Sequence, residues 1–187
     1  MQRALVVRAR EGDLDSFSQL VKLSFPRLER VAYLILRDAD RAQDAVQDAL
    51  MRAWRDLRAL RDPDAWDAWM RRLTVNACYD VARKDQKRRT VEVHVEPDPA
   101  TAAATDSTAE IGDRDWLGRE LARLDLDQRV VLVLHYYLDH TVSDVAQLLD
   151  IPYGTAASRL HRGLEAMRTS MGVDPEAVPG LATERSR

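Results

Sequence analysis

The sequence predicts an all-α protein in which two small helical domains are joined by a flexible acidic linker. The 187-residue chain has only 7 Gly and 6 % aromatic residues, and it is rich in the helix formers Ala, Leu and Arg. Apolar residues recur at spacings of three and four in several stretches. Between them lies a long segment with Pro, Ala, Thr and acidic residues that has no helical period. These features place helical domains at residues 1–90 and 113–170, a linker at 91–112 and a tail at 171–187.

Three apolar stripes predict three amphipathic helices in the first domain, over residues 17–35, 42–57 and 66–81. Pro26 is expected to break or kink the first of these helices. Three stripes of this kind can bury one another and form one core. The tryptophans of the second and third stripes are expected to pack in that core: Trp54, Trp66 and Trp69.

The second domain begins with two shorter predicted helices, one with apolar residues between 116 and 124 and one over 130–134. Asp127 is a possible N-cap of the second helix. Two more helices follow from Thr141 onward.

These last two helices form a predicted helix-turn-helix. Thr141 and Asp144 have the spacing of a capping box, so a helix should begin after Thr141. Asp150 stands in the turn, where it tolerates left-handed geometry, and Pro152 can open the next helix. The inner face of that second helix is expected to bury Ala156, Leu160 and Leu164. Its outer face has hydroxyls and bases that suit phosphates and base edges: Thr155, Ser158, Arg159, His161 and Arg162. The alternative is a helical hairpin with a solvated basic face.

Charge is distributed in blocks, although the net charge is only −3. Residues 83–89 hold five bases against one acid, and residues 92–115 hold seven acids against one base. The third helix of the first domain has a polar, mostly basic stripe that runs into the basic block: Arg72, Asn76, Asp80, Arg83 and Lys87. Such a stripe suits a DNA backbone.

The second helix of the first domain has a face of mixed charge opposite its apolar stripe: Asp44, Gln47, Asp48, Met51, Arg52 and Arg55. An exposed methionine among mixed charges favours a partner-binding face, although a solvated face is the simpler alternative.

Four motifs in order resemble the extracytoplasmic-function (ECF) sigma factors of the sigma-70 family. Residues 154–162 (GTAASRLHR) closely resemble the GTvkSRlxR signature of sigma region 4.2, and residues 124–134 resemble region 4.1. Residues 44–54 resemble the D-x-V-Q-E…A-W of region 2.2, and residues 69–83 resemble the WLxxIAxNxxxDxxR of regions 2.3 and 2.4. The sequence departs from the family pattern at two positions, where a base and a glycine are usual: Ala157 and Asp150.

The resemblance implies a promoter-recognition subunit of RNA polymerase. The mixed-charge face would bind the clamp of the β′ subunit, and the β flap would be a further contact. The basic stripe would bind and melt −10 DNA, the loop 60–64 would capture a base flipped from that element, and the helix-turn-helix would bind −35 DNA. An anti-sigma factor is a further implied partner. The acidic linker would pass through the basic RNA-exit path, or act only as a solvated tether.

Several function classes lack support in the sequence. No apolar run approaches the length of a membrane span, and no secretory signal is present, so a cytoplasmic protein without membrane insertion is expected. The single cysteine, Cys78, is expected to be a small core residue in a reducing compartment. We expect no metal site, no cofactor and no catalytic centre. The histidines lack metal-ligand spacing: His94, His135, His140 and His161.

Two other classes remain as alternatives. A one-component helix-turn-helix regulator would have a sensor or dimerisation domain in its first half, and would bind duplex promoter DNA without polymerase. A helical DNA-modifying enzyme would need a catalytic constellation. The motif at 44–48 and the stripe around Asn76 favour the sigma factor, since a regulator needs neither.

Overall fold

A computed structural model of the chain describes residues 1–92 and 113–171, and every regular element in these two ranges is helical. The chain divides into two compact units, with residues 1–92 in the first and 113–171 in the second. The all-α prediction is confirmed. Most of the predicted linker, residues 93–112, and nearly all of the predicted tail, 172–187, lie outside the described residues.

The first unit is built from four α-helices and two short 3-10 turns. In chain order these are α1 (Gln2–Arg10), α2 (Leu14–Leu36), α3 (Ala39–Asp56), the turns Leu57–Ala59 and Pro63–Ala65, and α4 (Trp66–Glu92). The helices α2, α3 and α4 all pack against one another, as the three apolar stripes predict. Helix α4 continues two residues past the predicted domain boundary at 90.

Helix α1 is not among the three predicted helices. It packs on α2 and buries Leu5, Val6 and Ala9. Its apolar stripe is short and is flanked by Arg8 and Arg10, so the periodic signal is weak.

Pro26 does not interrupt α2, which runs unbroken from Leu14 to Leu36. The proline is exposed, whereas Leu20 and Leu28 on either side of it are buried. Packing on both sides therefore holds the helix through a residue that lacks a backbone N–H.

The three tryptophans differ in burial. Trp66 is fully buried, and its indole N–H donates to the Ser24 hydroxyl at 3.1 Å. Trp69 is half-buried and contacts the Trp66 ring. Trp54 remains 40 % exposed, with its ring packed on Phe17 at a centroid distance of 4.8 Å, so its prediction as a core residue is wrong. It lies at the edge of the α2–α3 contact.

The second unit contains α5 (Asp113–Arg123), α6 (Leu126–Leu132), a π-helical turn (Val133–Tyr137), α7 (Val142–Leu149) and α8 (Tyr153–Ser170). Its core forms mainly between α6, α7 and α8. The N-cap of α6 is Asp125 and not the predicted Asp127. Asp127 is the second residue of the helix, and its carboxylate pairs with a base on α8.

Candidate functional site

The helix-turn-helix of α7 and α8 forms as the local sequence signals predict. The backbone N–H of Thr141 donates to the Asp144 carboxylate, and the Asp144 N–H donates to the Thr141 hydroxyl, both at 3.1 Å. The hydrogen bond from the Thr141 hydroxyl lowers the pKa of Asp144. Asp150 closes the helix in the left-handed region with φ 55°, and α8 begins directly after Pro152. The turn therefore holds without a glycine.

Helix α8 lies directly on α6. Ala156 and Gly163 are its buried residues, and a Cβ on Gly163 would stand 2.8 Å from Leu132 Cδ1. The predicted inner residues Leu160 and Leu164 are only half-buried. The close approach is made by a glycine, which the sequence reasoning did not single out.

The predicted −35 residues of α8 fall into three groups. His161 and Arg162 are exposed, and the His161 ring lies 3.6 Å from Glu165. Thr155 and Ser158 are half-buried, and the Ser158 hydroxyl donates to the Thr155 carbonyl at 3.0 Å. Arg159 does not share the outward position predicted for it. Its side chain is 26 % exposed, and its guanidinium lies 2.5 Å from the Asp127 carboxylate of α6.

The predicted partner-binding face on α3 is partly exposed and partly tied to α4. Asp44, Gln47 and Met51 are exposed, and Met51 leaves 66 % of its surface uncovered. Arg55 is also exposed and pairs with its neighbour Asp56 at 2.9 Å. This hydrogen bond raises the pKa of Arg55. Trp54, which the sequence predicted in the core, is half-exposed and adds apolar surface to the same helix.

Two members of the α3 face belong to an ion-pair network. Arg52 lies 2.5 Å from Asp48 one turn earlier and 2.8 Å from Asp80 on α4. All three side chains are roughly one third exposed. The hydrogen bond with Asp80 is the main cause of the raised pKa of Arg52. The predicted polymerase residue Arg52 and the predicted DNA residue Asp80 are therefore direct partners.

Four of the five residues in the predicted −10 stripe on α4 are exposed. Asp80 is the exception, since it pairs with Arg52. The exposed members are Arg72, Asn76, Arg83 and Lys87. The stripe borders a cleft of about 230 Å³ lined by Arg52, Asp80, Arg83, Lys84 and Lys87. Lys84 was absent from the predicted set, although it stands in the basic block that the charge pattern reveals.

The loop before α4 is built around a 3-10 turn. The Asp62 carboxylate accepts the backbone N–H of Asp64 at 3.0 Å, and Leu60 is buried beneath the loop. Asp64 pairs with Arg3 of α1, which links the N-terminal helix to this loop. Arg61 and Asp62 are exposed.

Within the ranges 1–92 and 113–171, no group of three or more His, Cys, Asp or Glu side chains could hold a metal ion. Over the same residues, no helix is long and apolar enough to cross a membrane.

Comparison with known proteins gives consistent matches. Residues 20–89 match the family model described as sigma-70 region 2, and residues 114–167 match the model described as sigma-70, region 4. The ECF RNA polymerase sigma factor SigM of Mycobacterium tuberculosis is 30 % identical over 161 residues, which are 86 % of this chain and 80 % of SigM. The RNA polymerase sigma-E factor of Streptomyces avermitilis is 31 % identical over 177 residues, or 93 % of this chain and 97 % of that factor.

A solved structure extends the similarity to the fold. The sigma factor RpoE of Bartonella quintana, crystallised with its anti-sigma factor NepR, is 25 % identical with a TM-score of 0.69. The match covers 86 % of this chain and 99 % of RpoE.

Proposed function

Because the chain belongs to the sigma-70 family, among its ECF sigma factors, we propose that it binds core RNA polymerase through α3, melts −10 DNA with α4 and recognises −35 DNA with α8. Sigma factors direct promoter-specific transcription. The observation that supports this division of labour is the pairing of two surfaces in the first unit. An exposed mixed-charge face on α3 and a basic stripe on α4 lie on helices that pack together.

The α3 face fits the β′ clamp of the polymerase. Met51 and Trp54 present apolar surface next to the polar side chains of Asp44 and Gln47. An apolar centre with a polar rim is typical of protein–protein interfaces. The β flap and an anti-sigma factor are further proposed partners, the latter because RpoE of B. quintana was crystallised with one.

The α4 stripe fits a melted −10 strand. Arg83, Lys84 and Lys87 line one cleft, where neutralised phosphates would add a salt-dependent affinity. The exposed loop residues Arg61 and Asp62 stand before α4, where they can meet an extruded base. Extrusion costs a few kcal/mol of stacking, which a pocket must offset.

The helix-turn-helix fits duplex −35 DNA in the major groove. Ser158, His161 and Arg162 supply a hydroxyl, an imidazole and a guanidinium on α8, which suit phosphate and base-edge contacts. The protein would act in the cytoplasm, where polymerase and DNA are found, and would have no active site of its own because polymerisation belongs to the core enzyme.

The decisive experiment replaces Met51 with Lys. Burying a charge in the centre of an interface is costly, so the variant should lose binding to core polymerase in a pull-down and lose run-off transcription. Helical circular dichroism should not change, since Met51 is exposed in the free chain. Leu23→Lys is the matched control, because Leu23 on α2 is 59 % exposed and lies outside the α3 face.

Two results would contradict the proposal. Normal core binding by Met51→Lys would place the docking face elsewhere. A wild-type chain that never binds core polymerase, yet binds duplex promoter DNA tightly, would favour a one-component regulator instead.

A further inference from the structure

Arg159 occupies an unexpected place in the helix-turn-helix. It stands in the motif whose polar residues suit DNA, yet its guanidinium lies 2.5 Å from the Asp127 carboxylate on α6. The exposed arginine of the same stretch of α8 is Arg162, three residues later.

The helical period explains this placement. Ala156, Arg159 and Gly163 follow one another at spacings of three and four, so they share one face of α8. Ala156 and Gly163 are buried. Arg159 therefore belongs to the stripe that faces α6, whereas Ser158 and Arg162, four residues apart, lie together on a neighbouring face of α8.

Two contacts on this stripe fix how α8 crosses α6. At Gly163 the helices touch so closely that a Cβ would stand 2.8 Å from Leu132 Cδ1. One turn earlier, about 6 Å along the axis, the Arg159–Asp127 ion pair joins the same two helices. Helix α7 also packs on α8, and the ion pair adds a directional contact that ties α8 to α6.

We infer that Arg159 is a positioning residue: it orients α8 through Asp127, and the arginine contact to −35 DNA is made by Arg162. This inference rests on the proposed function, because it concerns how the helix-turn-helix is presented to DNA. A small error in the angle of α8 displaces several contacts at once, since the groups of a binding site must be held close to their productive geometry.

The competing account is that Arg159 binds a phosphate and Asp127 merely holds it in the free protein. A guanidinium has five donors and could serve an acid and a phosphate in turn. The two accounts differ in the expected effect of removing Asp127. Loss of a positioning partner weakens DNA binding, whereas loss of a competing acid leaves it unchanged or strengthens it.

The test uses holoenzyme reconstituted from core polymerase and the full chain, on a promoter located by start-site mapping. Promoter affinity is measured over a series of salt concentrations for Asp127→Ala, Arg159→Ala and the exchanged pair Asp127→Arg/Arg159→Asp. Arg162→Ala is the matched control, an exposed arginine on the same helix.

Asp127→Ala and Arg159→Ala should each weaken promoter binding by about tenfold, which is within the range of coupling between two residues in direct contact. The slope of log affinity against log salt should not change, because no phosphate contact is lost. The exchanged pair should recover most of the affinity. Arg162→Ala should lower the slope by about one, as expected for a lost phosphate contact.

Three results would overturn the inference: Asp127→Ala binds as well as or better than wild type, Arg159→Ala lowers the salt slope, or the exchanged pair fails to recover. Amide hydrogen exchange of α6 and α8 monitors folding. If a single variant unfolds the second unit, the exchanged pair is used to judge the inference. Recovery of both folding and promoter binding supports positioning of α8 by the ion pair, and failure of either rejects it. If wild-type holoenzyme does not initiate transcription, the proposed function fails and the inference falls with it.

Discussion

Gly163 offers the most direct test of how α8 is held in the second unit. A methyl group added there would stand 2.8 Å from Leu132 Cδ1 and 3.3 Å from Gln128 Cβ. The Leu132 Cγ, at 3.4 Å, would make only an ordinary van der Waals contact, so relief depends on rotation of Cδ1. Leu132 is only 4 % exposed, which leaves Cδ1 little room to rotate. The Gln128 Cβ cannot move without its backbone.

The net effect of Gly163→Ala follows from two opposed terms. Overpacking of a well-filled contact costs about 1–3 kcal/mol. Replacing Gly by Ala within a helix contributes about 1 kcal/mol in the opposite direction. We therefore expect a loss of about 1 kcal/mol in the stability of the second unit, which corresponds to roughly fivefold faster amide hydrogen exchange in α6 and α8.

Gly154→Ala is the matched control for this substitution. Gly154 lies in the same helix, and a Cβ there would meet no heavy atom within 4 Å. It therefore retains the propensity gain without the packing cost, so exchange should slow or stay unchanged. Because Gly154 lies in the first turn of α8 and Gly163 in its interior, the difference between the two variants contains the packing cost and a smaller difference in helix propensity. If Gly163→Ala protects the amides as well as Gly154→Ala does, α8 does not lie directly on α6.

Two further predictions concern the first unit and the linker. Burial raises the pKa of the Cys78 thiol from 9.0 to about 12, so above about pH 9 the unfolded chain loses this proton while the folded chain keeps it. In a denaturation series, the free energy of unfolding of the wild type should decline between pH 9 and 12 by more than that of Cys78→Ala. Rapid alkylation of the native thiol at pH 8 would argue against its burial. Elastase, which cleaves after small residues, should cut first within 93–112, a segment rich in Ala that holds no Lys or Arg. First cuts inside either helical unit would contradict the proposed domain division.

Features set by local sequence were predictable. The apolar periods of α2, α3 and α4, the capping box at Thr141 and Asp144, and the left-handed turn at Asp150 each depend on residues within one or two turns of helix. Helix α1 was missed because a nine-residue helix carries too few apolar repeats to stand out.

Features set by contacts between helices were not predictable in the same way. A helical period identifies the residues that share a face, but it does not identify the residue opposite them on the next helix. The ion pairs Arg159–Asp127 and Arg52–Asp80 depend on the crossing of two helices far apart in sequence. Trp54 shows the same limit, since it lies on an apolar stripe at a point where the neighbouring helix covers only part of it.

The Arg52–Asp80 pair also changes how the charge of the α4 stripe is counted. Asp80 alone would repel a phosphate passing along Arg83 and Lys87. Arg52 supplies a neutralising charge from α3, so the cleft as a whole holds four bases, Arg52, Arg83, Lys84 and Lys87, against one acid. The lining residues then have a net charge of 4 − 1 = +3, with Asp48, the second partner of Arg52, outside the lining.

Replacing Arg52 by an acid would remove one positive charge and add one negative charge beside Asp80. The cleft would then hold three bases against two acids, a net charge of 3 − 2 = +1. The substitution would thus weaken attraction for DNA even if polymerase still docked on α3, and it would break the contact that joins α3 to α4. A substitution at Met51, which is exposed and lines no part of the cleft, would test the proposed polymerase docking without changing the charge of the cleft. A substitution at Arg52 would change both. The two surfaces of the first unit are therefore distinct at their exposed residues and electrostatically coupled through Arg52.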